Sequence, residues 1–215
     1  MADLQAIEEA IIKGKRNDVV SLVRAALDEG ADPQSLINDH MIEAMKVVGQ
    51  RFEQKKIFVP EMMIAARAMQ AGLEVIKPLI DARGEQGKGL GTVVMGTVFG
   101  DLHDIGKNLV VLMLESSGFK VFNIGENVPA EKFLQAARDH AADLVGLSSL
   151  LTTGDPYVKA TVAAIKNSDL AGRVKVMCGG AALTPKFVEE DCRADGYASD
   201  AVAAVRLAKD LLGVA

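Results

Sequence analysis

The run Gly100-Asp101-Leu102-His103-Asp104-Ile105-Gly106-Lys107-Asn108 sets an imidazole between two glycines, with a carboxylate two residues ahead of it. A carboxylate that accepts one ring N–H fixes the tautomer and leaves the other nitrogen free to bind a metal. Gly106 permits close backbone approach at the start of the next helix. Alone, D-x-H-x-x-G also describes a solvated loop histidine satisfied by local hydrogen bonds. A zinc hydrolase would need about three protein ligands. The other two of the 3 histidines, His40 and His140, fall on expected helices, and the 2 cysteines, Cys178 and Cys192, lack metal-ligand spacing. One imidazole without companions suits a metal that brings most of its own coordination, such as a macrocyclic cofactor.

Two further segments could contribute to a binding surface. Gly146-Leu147-Ser148-Ser149-Leu150-Leu151-Thr152-Thr153-Gly154 clusters hydroxyls, and Cys178-Gly179-Gly180-Ala181-Ala182 offers paired glycines against which a bulky ligand could lie. Each alone makes an ordinary turn. Together with the His103 segment they would form one small-residue, hydroxyl-rich rim.

These segments need a scaffold that brings their ends together, and the periodicity supplies one. Residues 90–215 alternate short β-prone runs (Thr92–Val98, Lys120–Ile124, Asp143–Leu147, Lys175–Met177, Gly196–Ala198) with helical stretches near 104–117, 130–140, 155–166, 184–191 and 200–212. Alternating βαβα implies a parallel sheet covered on both faces. Five strands in this length suit a flavodoxin- or Rossmann-like order, 2-1-3-4-5, whose ligands bind outside the carboxyl ends of the strands. Residues 1–81 instead show helical spacing throughout. Leu4, Ile7 and Ile11 mark a first helix, and Asp18 is expected to cap a second that ends at Gly30. Asp32-Pro33 opens a third through Phe52, and Pro60 a fourth. The expected architecture is α + α/β: a four-helix bundle cap, a Gly-rich polar linker over 82–89, and the α/β domain.

Composition agrees with a globular chain. Of the 215 residues, 49% are hydrophobic and 25% charged, with a formal net charge of −5. Lysines and arginines are scattered, which argues against a nucleic-acid surface. No apolar run approaches the roughly 18 residues of a membrane span. The amphipathic start lacks a signal-peptide core, and the cysteines form no disulfide framework, so a cytoplasmic location is expected.

Asp101-x-His103-x-x-Gly106, then Ser148-x-Leu150, then Gly179-Gly180 resemble the signature of the cobalamin-binding domain family that takes its cofactor base-off with histidine on cobalt. The wider runs GTVFGDLHDIGKN, ENVPAEKF and DLVGLSSLLTT are also family-like. In the first half, Val48–Phe52, Phe58–Met62 and Ala65–Met69 resemble the helical cap of methionine synthase and of small corrinoid proteins.

The resemblance implies that cobalt of a cobalamin or related corrinoid is ligated by His103, that Asp101 hydrogen-bonds His103, and that Ser148 hydrogen-bonds Asp101 in a proton-linked relay. Leu102, Asp104 and Ile105 would border the cofactor. Gly106, Ser148, Leu150, Thr152, Gly179 and Gly180 would line the slot for the displaced nucleotide tail, with Tyr197 and Ala198 completing it. Phe52, Val59 and Met62 would cover the methyl face, or else belong to plain bundle core. The implied activity is methyl carriage on Co(I)/methyl-Co(III) between a substrate-specific methyltransferase and a methylcorrinoid:folate or thiol methyltransferase, with a corrinoid-reactivating protein as a third partner. The donor could be methanol, a methylamine, glycine betaine or an aryl methyl ether. A cobalamin-responsive sensor, a corrinoid storage module and an isomerase-type cobalamin subunit are the rival readings.

Overall fold

A computed structural model describes residues 4–82 and 89–214. The chain divides into two compact units, one of Met1–Gly89 with Glu115–Gly118, the other of Leu90–Leu114 and Phe119–Ala215. Of the linker expected at 82–89, residues 83–88 lie outside the described residues.

The first unit is built on α1 (Leu4–Ile12), α2 (Arg16–Asp28), α3 (Pro33–Ser35), α4 (Ile42–Glu53) and α5 (Val59–Ala82). A π-helical turn, Leu36–Met41, joins α3 to α4, so the expected third helix is continuous but irregular. α2 packs on α1 and α5, and α4 packs on the same two helices, which is a four-helix arrangement. Asp32 caps α3 by accepting the Ser35 amide at 2.9 Å. Asp18 is not a cap: α2 begins two residues earlier, at Arg16, and Asp18 lies in its first turn, where a negative charge still complements the helix dipole.

The second unit is a five-stranded parallel sheet in the order β2-β1-β3-β4-β5. Its strands are β1 (Thr92–Thr97), β2 (Lys120–Asn123), β3 (Leu144–Ser148), β4 (Lys175–Gly179) and β5 (Gly196–Ala198). The connecting helices are α6 (Ile105–Ser116), α7 (Ala130–Asp139) and α8 (Asp155–Lys166), with α9 (Ala201–Leu212) after β5. The helix expected near 184–191 is a short π-helical segment, Phe187–Asp191, closed by a 2.9 Å bond from the Cys192 amide to the Phe187 carbonyl.

Because side chains alternate along a strand, the sheet carries two cores. Val94, Val145, Leu147 and Val176 pack with Phe133 of α7 and Val158, Val162 and Ile165 of α8. On the other face Val93, Met95, Leu144 and Met177 pack with Val111 and Leu114 of α6 and Ala204 and Ala208 of α9. This two-sided burial explains the continuous apolar strands, and the reversal of direction after β1 puts the β1–α6 loop at the switch point of the sheet.

Candidate cofactor site

β1 ends at Thr97, and the chain turns through Gly100, whose φ of +81° favours glycine. This turn presents Asp101, Leu102 and His103 at the carboxyl edge. Asp101 is fully buried and organises the loop. Its Oδ1 accepts the His103 amide at 2.9 Å and lies 2.7 Å from His103 Nδ1, and its Oδ2 accepts the Leu150 amide at 2.6 Å. Burial alone would raise the Asp101 carboxyl, but the two amides and the imidazole outweigh it and hold the group below its ordinary value. A charged Asp101 accepting from Nδ1–H leaves Nε2 as the free lone pair. The His103 side chain is 52% exposed, so that nitrogen faces open space rather than a core.

The surroundings of His103 are apolar and unusually bare. Leu102 and Ile105 are 70% and 85% exposed, and Leu150 is 43% exposed. A Cβ on Gly106 would meet nothing within 4 Å, so neither packing nor backbone conformation demands glycine there. By contrast, Gly180 has φ +126°, and a Cβ on it would overlap the Ser149 carbonyl. Gly179 approaches β5 so closely that a Cβ would lie 2.7 Å from the Ala198 carbonyl oxygen.

Ser148 and Gly179 are register partners, as are Gly179 and Ala198, so the ends of β3, β4 and β5 come together. Two of the expectations take a different form. Asp101 has the Leu150 amide, not the Ser148 hydroxyl, as its second partner, because the chain past β3 turns its backbone N–H towards the buried carboxylate. Tyr197 does not share a face with Ala198: the pleat turns it to the α7–α8 core, while Ala198 packs on the α6–α9 side. Thr152 is exposed and opens a short 3-10 turn, Thr152–Gly154, leading into α8. Asp104 is half-buried at the start of α6, where its Oδ2 accepts from Asn108 Nδ2 at 2.8 Å. In the helical unit Met62 is fully buried, Phe52 half-buried and Val59 39% exposed.

Sequence reasoning missed two supports of the loop. The hydroxyl of buried Thr97 donates to the His103 carbonyl at 3.2 Å. Asn127, with φ +55°, accepts the Gly100 amide on Oδ1 at 2.8 Å and donates its own amide to the Asp101 carbonyl at 3.0 Å. An Asn in a Gly-Glu-Asn turn was the available signal, since Asn tolerates the left-handed region. The remaining histidines are engaged elsewhere: His40 Nδ1 lies 2.7 Å from Glu8, and His140 stacks on Phe122 with centroids 3.6 Å apart. Among the described residues, no three His, Cys, Asp or Glu side chains cluster as a metal site.

A single oriented imidazole thus stands on the carboxyl edge of a doubly wound sheet, the edge at which such sheets take their ligands. Comparison with known proteins agrees. A family model described as B12 binding domain matches residues 91–206, and a second with the same description matches residues 3–77. The dimethylamine corrinoid protein of Methanosarcina barkeri is 42% identical over 209 residues, covering 97% of each chain. The methanol:cobalamin methyltransferase complex MtaBC from Methanosarcina barkeri contains a chain matched with a TM-score of 0.86 at 32% identity, over 98% of this chain and 79% of that one. A cobalamin-binding protein from Desulfitobacterium hafniense gives a TM-score of 0.80 at 28% identity, over 98% and 99% of the two chains. The chain belongs to the B12-binding-domain family. The residues present fit such a group: the space beside Gly106 is open, and His103 is held through Nδ1, which leaves its other ring nitrogen to a metal.

Proposed function

We propose that this chain is a corrinoid protein that carries a methyl group between a substrate:corrinoid methyltransferase and a methylcorrinoid:acceptor methyltransferase. The carrying observation is the imidazole of His103, tied at Nδ1 to a buried, charged Asp101 and bare at Nε2. Bound corrinoid supplies a cobalt centre able to accept and release a methyl group. The chain's own residues ligate, orient and shield it.

In this reading His103 would hold the cobalt through Nε2. Asp101 sets its tautomer and, through the Leu150 amide, couples the β1 and β3 loops. A carboxylate kept charged strengthens imidazole donation, and a proton reaching that pair weakens it. Exposed Leu102, Ile105 and Leu150 offer apolar contact to a macrocycle face, and Asp104 borders it. Gly106, Thr152, Gly179, Gly180 and Ala198 are assigned to the displaced nucleotide tail. The domain limits are 1–81, 82–89 and 90–215, and Phe52 and Val59 of the helical unit are candidates for covering the reactive face.

Relatives matched along nearly their whole length favour a methyl carrier over a sensor or storage module. The match to a chain of a methyltransferase complex supports a methyltransferase partner, and the dimethylamine corrinoid protein points to a methylamine-type donor. A folate or thiol acceptor enzyme and a reactivating protein complete the proposed cycle. No helix among the described residues is long and apolar enough to cross a membrane, and both thiols are free and buried, in keeping with a reducing cytoplasm. The test is the absorption spectrum of the protein with hydroxocobalamin, with and without His103→Ala. A histidine-on, base-off spectrum that disappears in the variant supports the assignment; an unchanged cobalt-ligand spectrum overturns it.

A further inference from the structure

The sheet face covered by α6 and α9 carries two rows of residues that differ sharply in size. Along the carboxyl edge, Thr97, Ser148, Gly179 and Ala198 are register partners on β1, β3, β4 and β5. Two residues lower, Met95, Gly146, Met177 and Gly196 are partners on the same strands. Alternation puts both rows on one face, about 6.6 Å apart along the strands. The upper row holds nothing larger than threonine. In the lower row two thioether side chains converge over a glycine: a Cβ on Gly146 would overlap Met95 Sδ and stand 3.2 Å from Met177 Cε. The two methionines occupy the space that a side chain at Gly146 would take.

A group entering from the His103 edge along this face passes small residues and then meets the methionine pair. In the lower row the residues flanking Gly146 carry no polar side chain. The row's one polar side chain, Asn123 on β2, is already bonded to Lys107 Nζ at 2.7 Å and to Asn108 at 3.0 Å. The backbone groups of the row are used in the parallel ladder.

We propose that Met95 and Met177, converging over Gly146, form the floor of the tail slot and select the lower base of the corrinoid. They favour an apolar benzimidazole-type base over a purine. This inference rests on the corrinoid reading above and concerns only what that site accepts. Thioethers are polarizable, adapt their shape and make favourable contacts with aromatic ring edges. A purine brings an exocyclic amine and extra ring nitrogens that would lose water without gaining a partner, a penalty that corresponds to about tenfold or more in affinity.

The full-length protein is titrated, by absorbance, with hydroxocobalamin, with its adenine-base analogue and with cobinamide, which lacks the tail. The wild type is expected to bind hydroxocobalamin at least about tenfold more tightly than the adenine analogue. Met177→Gln, which adds a donor and an acceptor at nearly constant length, should reduce that ratio to below about threefold and leave cobinamide affinity unchanged. Equal wild-type affinities for the two bases overturn the proposal even if the variant does not fold, as does a folded variant with the wild-type ratio. If no corrinoid gives a histidine-on spectrum, the functional reading itself fails and this inference falls with it. If all three bind histidine-on without base discrimination, only the inference fails.

Discussion

Gly106→Ala separates a residue kept for the fold from one kept for the ligand. Gly106 is the second residue of α6, in helical conformation, and the added methyl would meet no atom within 4 Å. Alanine there removes no contact and introduces no clash. It also lowers the entropy of the unfolded chain, an effect of about 0.4–1 kcal/mol. In a helix interior the propensity gain over glycine is about 0.8–1 kcal/mol. The first turn should realise roughly half of this, so the cofactor-free protein should gain about 0.5 kcal/mol, or about 1–2 °C in Tm for a chain of this length. The methyl would project into the space assigned to the corrinoid tail. Overfilling a close contact costs about 1–3 kcal/mol, which is roughly a 5- to 150-fold loss of affinity. Thermal melts of the cofactor-free variant and an absorbance titration with hydroxocobalamin measure the two effects. A lower Tm would mean that the fold needs this glycine. Unchanged affinity would falsify the assignment of that space to the ligand.

Three other outcomes follow from the same geometry. Asp101→Asn should cost about 1–3 kcal/mol at pH 7, because an amide cannot accept from both the His103 and Leu150 N–H groups without turning a donor to one of them. The Asp101 carboxyl is held below its unfolded value, so its contribution is complete above about pH 4–5 and is lost as pH falls through the folded value. The wild-type advantage in urea midpoints should therefore shrink between pH 7 and pH 3, and a constant gap would contradict the charge assignment. Gly180→Ala should destabilise the sheet unit by about 2 kcal/mol or more, visible as an earlier urea midpoint, since φ is +126° and the Cβ would overlap the Ser149 carbonyl. Phe52→Ala should leave corrinoid affinity within about threefold but speed photolysis of the methylated cofactor; equal photolysis rates would remove Phe52 from the methyl face.

Much of this protein is legible in its sequence because the signals are local or periodic. Alternating apolar runs and helical stretches were enough for the strand order, since right-handed crossovers and two-sided burial leave few topologies. Asp101 and His103 could be paired on paper because two residues of a tight turn cannot lie far apart. The helix start at Asp32-Pro33 was equally readable, since a side-chain cap and a proline leave a local signature. What tertiary structure decided is different in kind. The second partner of Asp101 is a backbone amide 49 positions further along, and an amide has no residue type by which to recognise it. The Thr97 and Asn127 bonds to the loop depend on where β1 stops and how β2 exits. Tyr197 and Ala198 are neighbours in the chain yet lie on opposite faces, so the pleat, not proximity in sequence, sorts them. The convergence of Met95 and Met177 over Gly146 exists only once three strands are in register, because it joins residues from three separate βα units. The sequence by itself determined which chemistry is present and at which edge of the sheet. Only the folded chain decided how that chemistry is held, because hydrogen bonds to backbone and cross-strand packing are properties of register rather than of residue type.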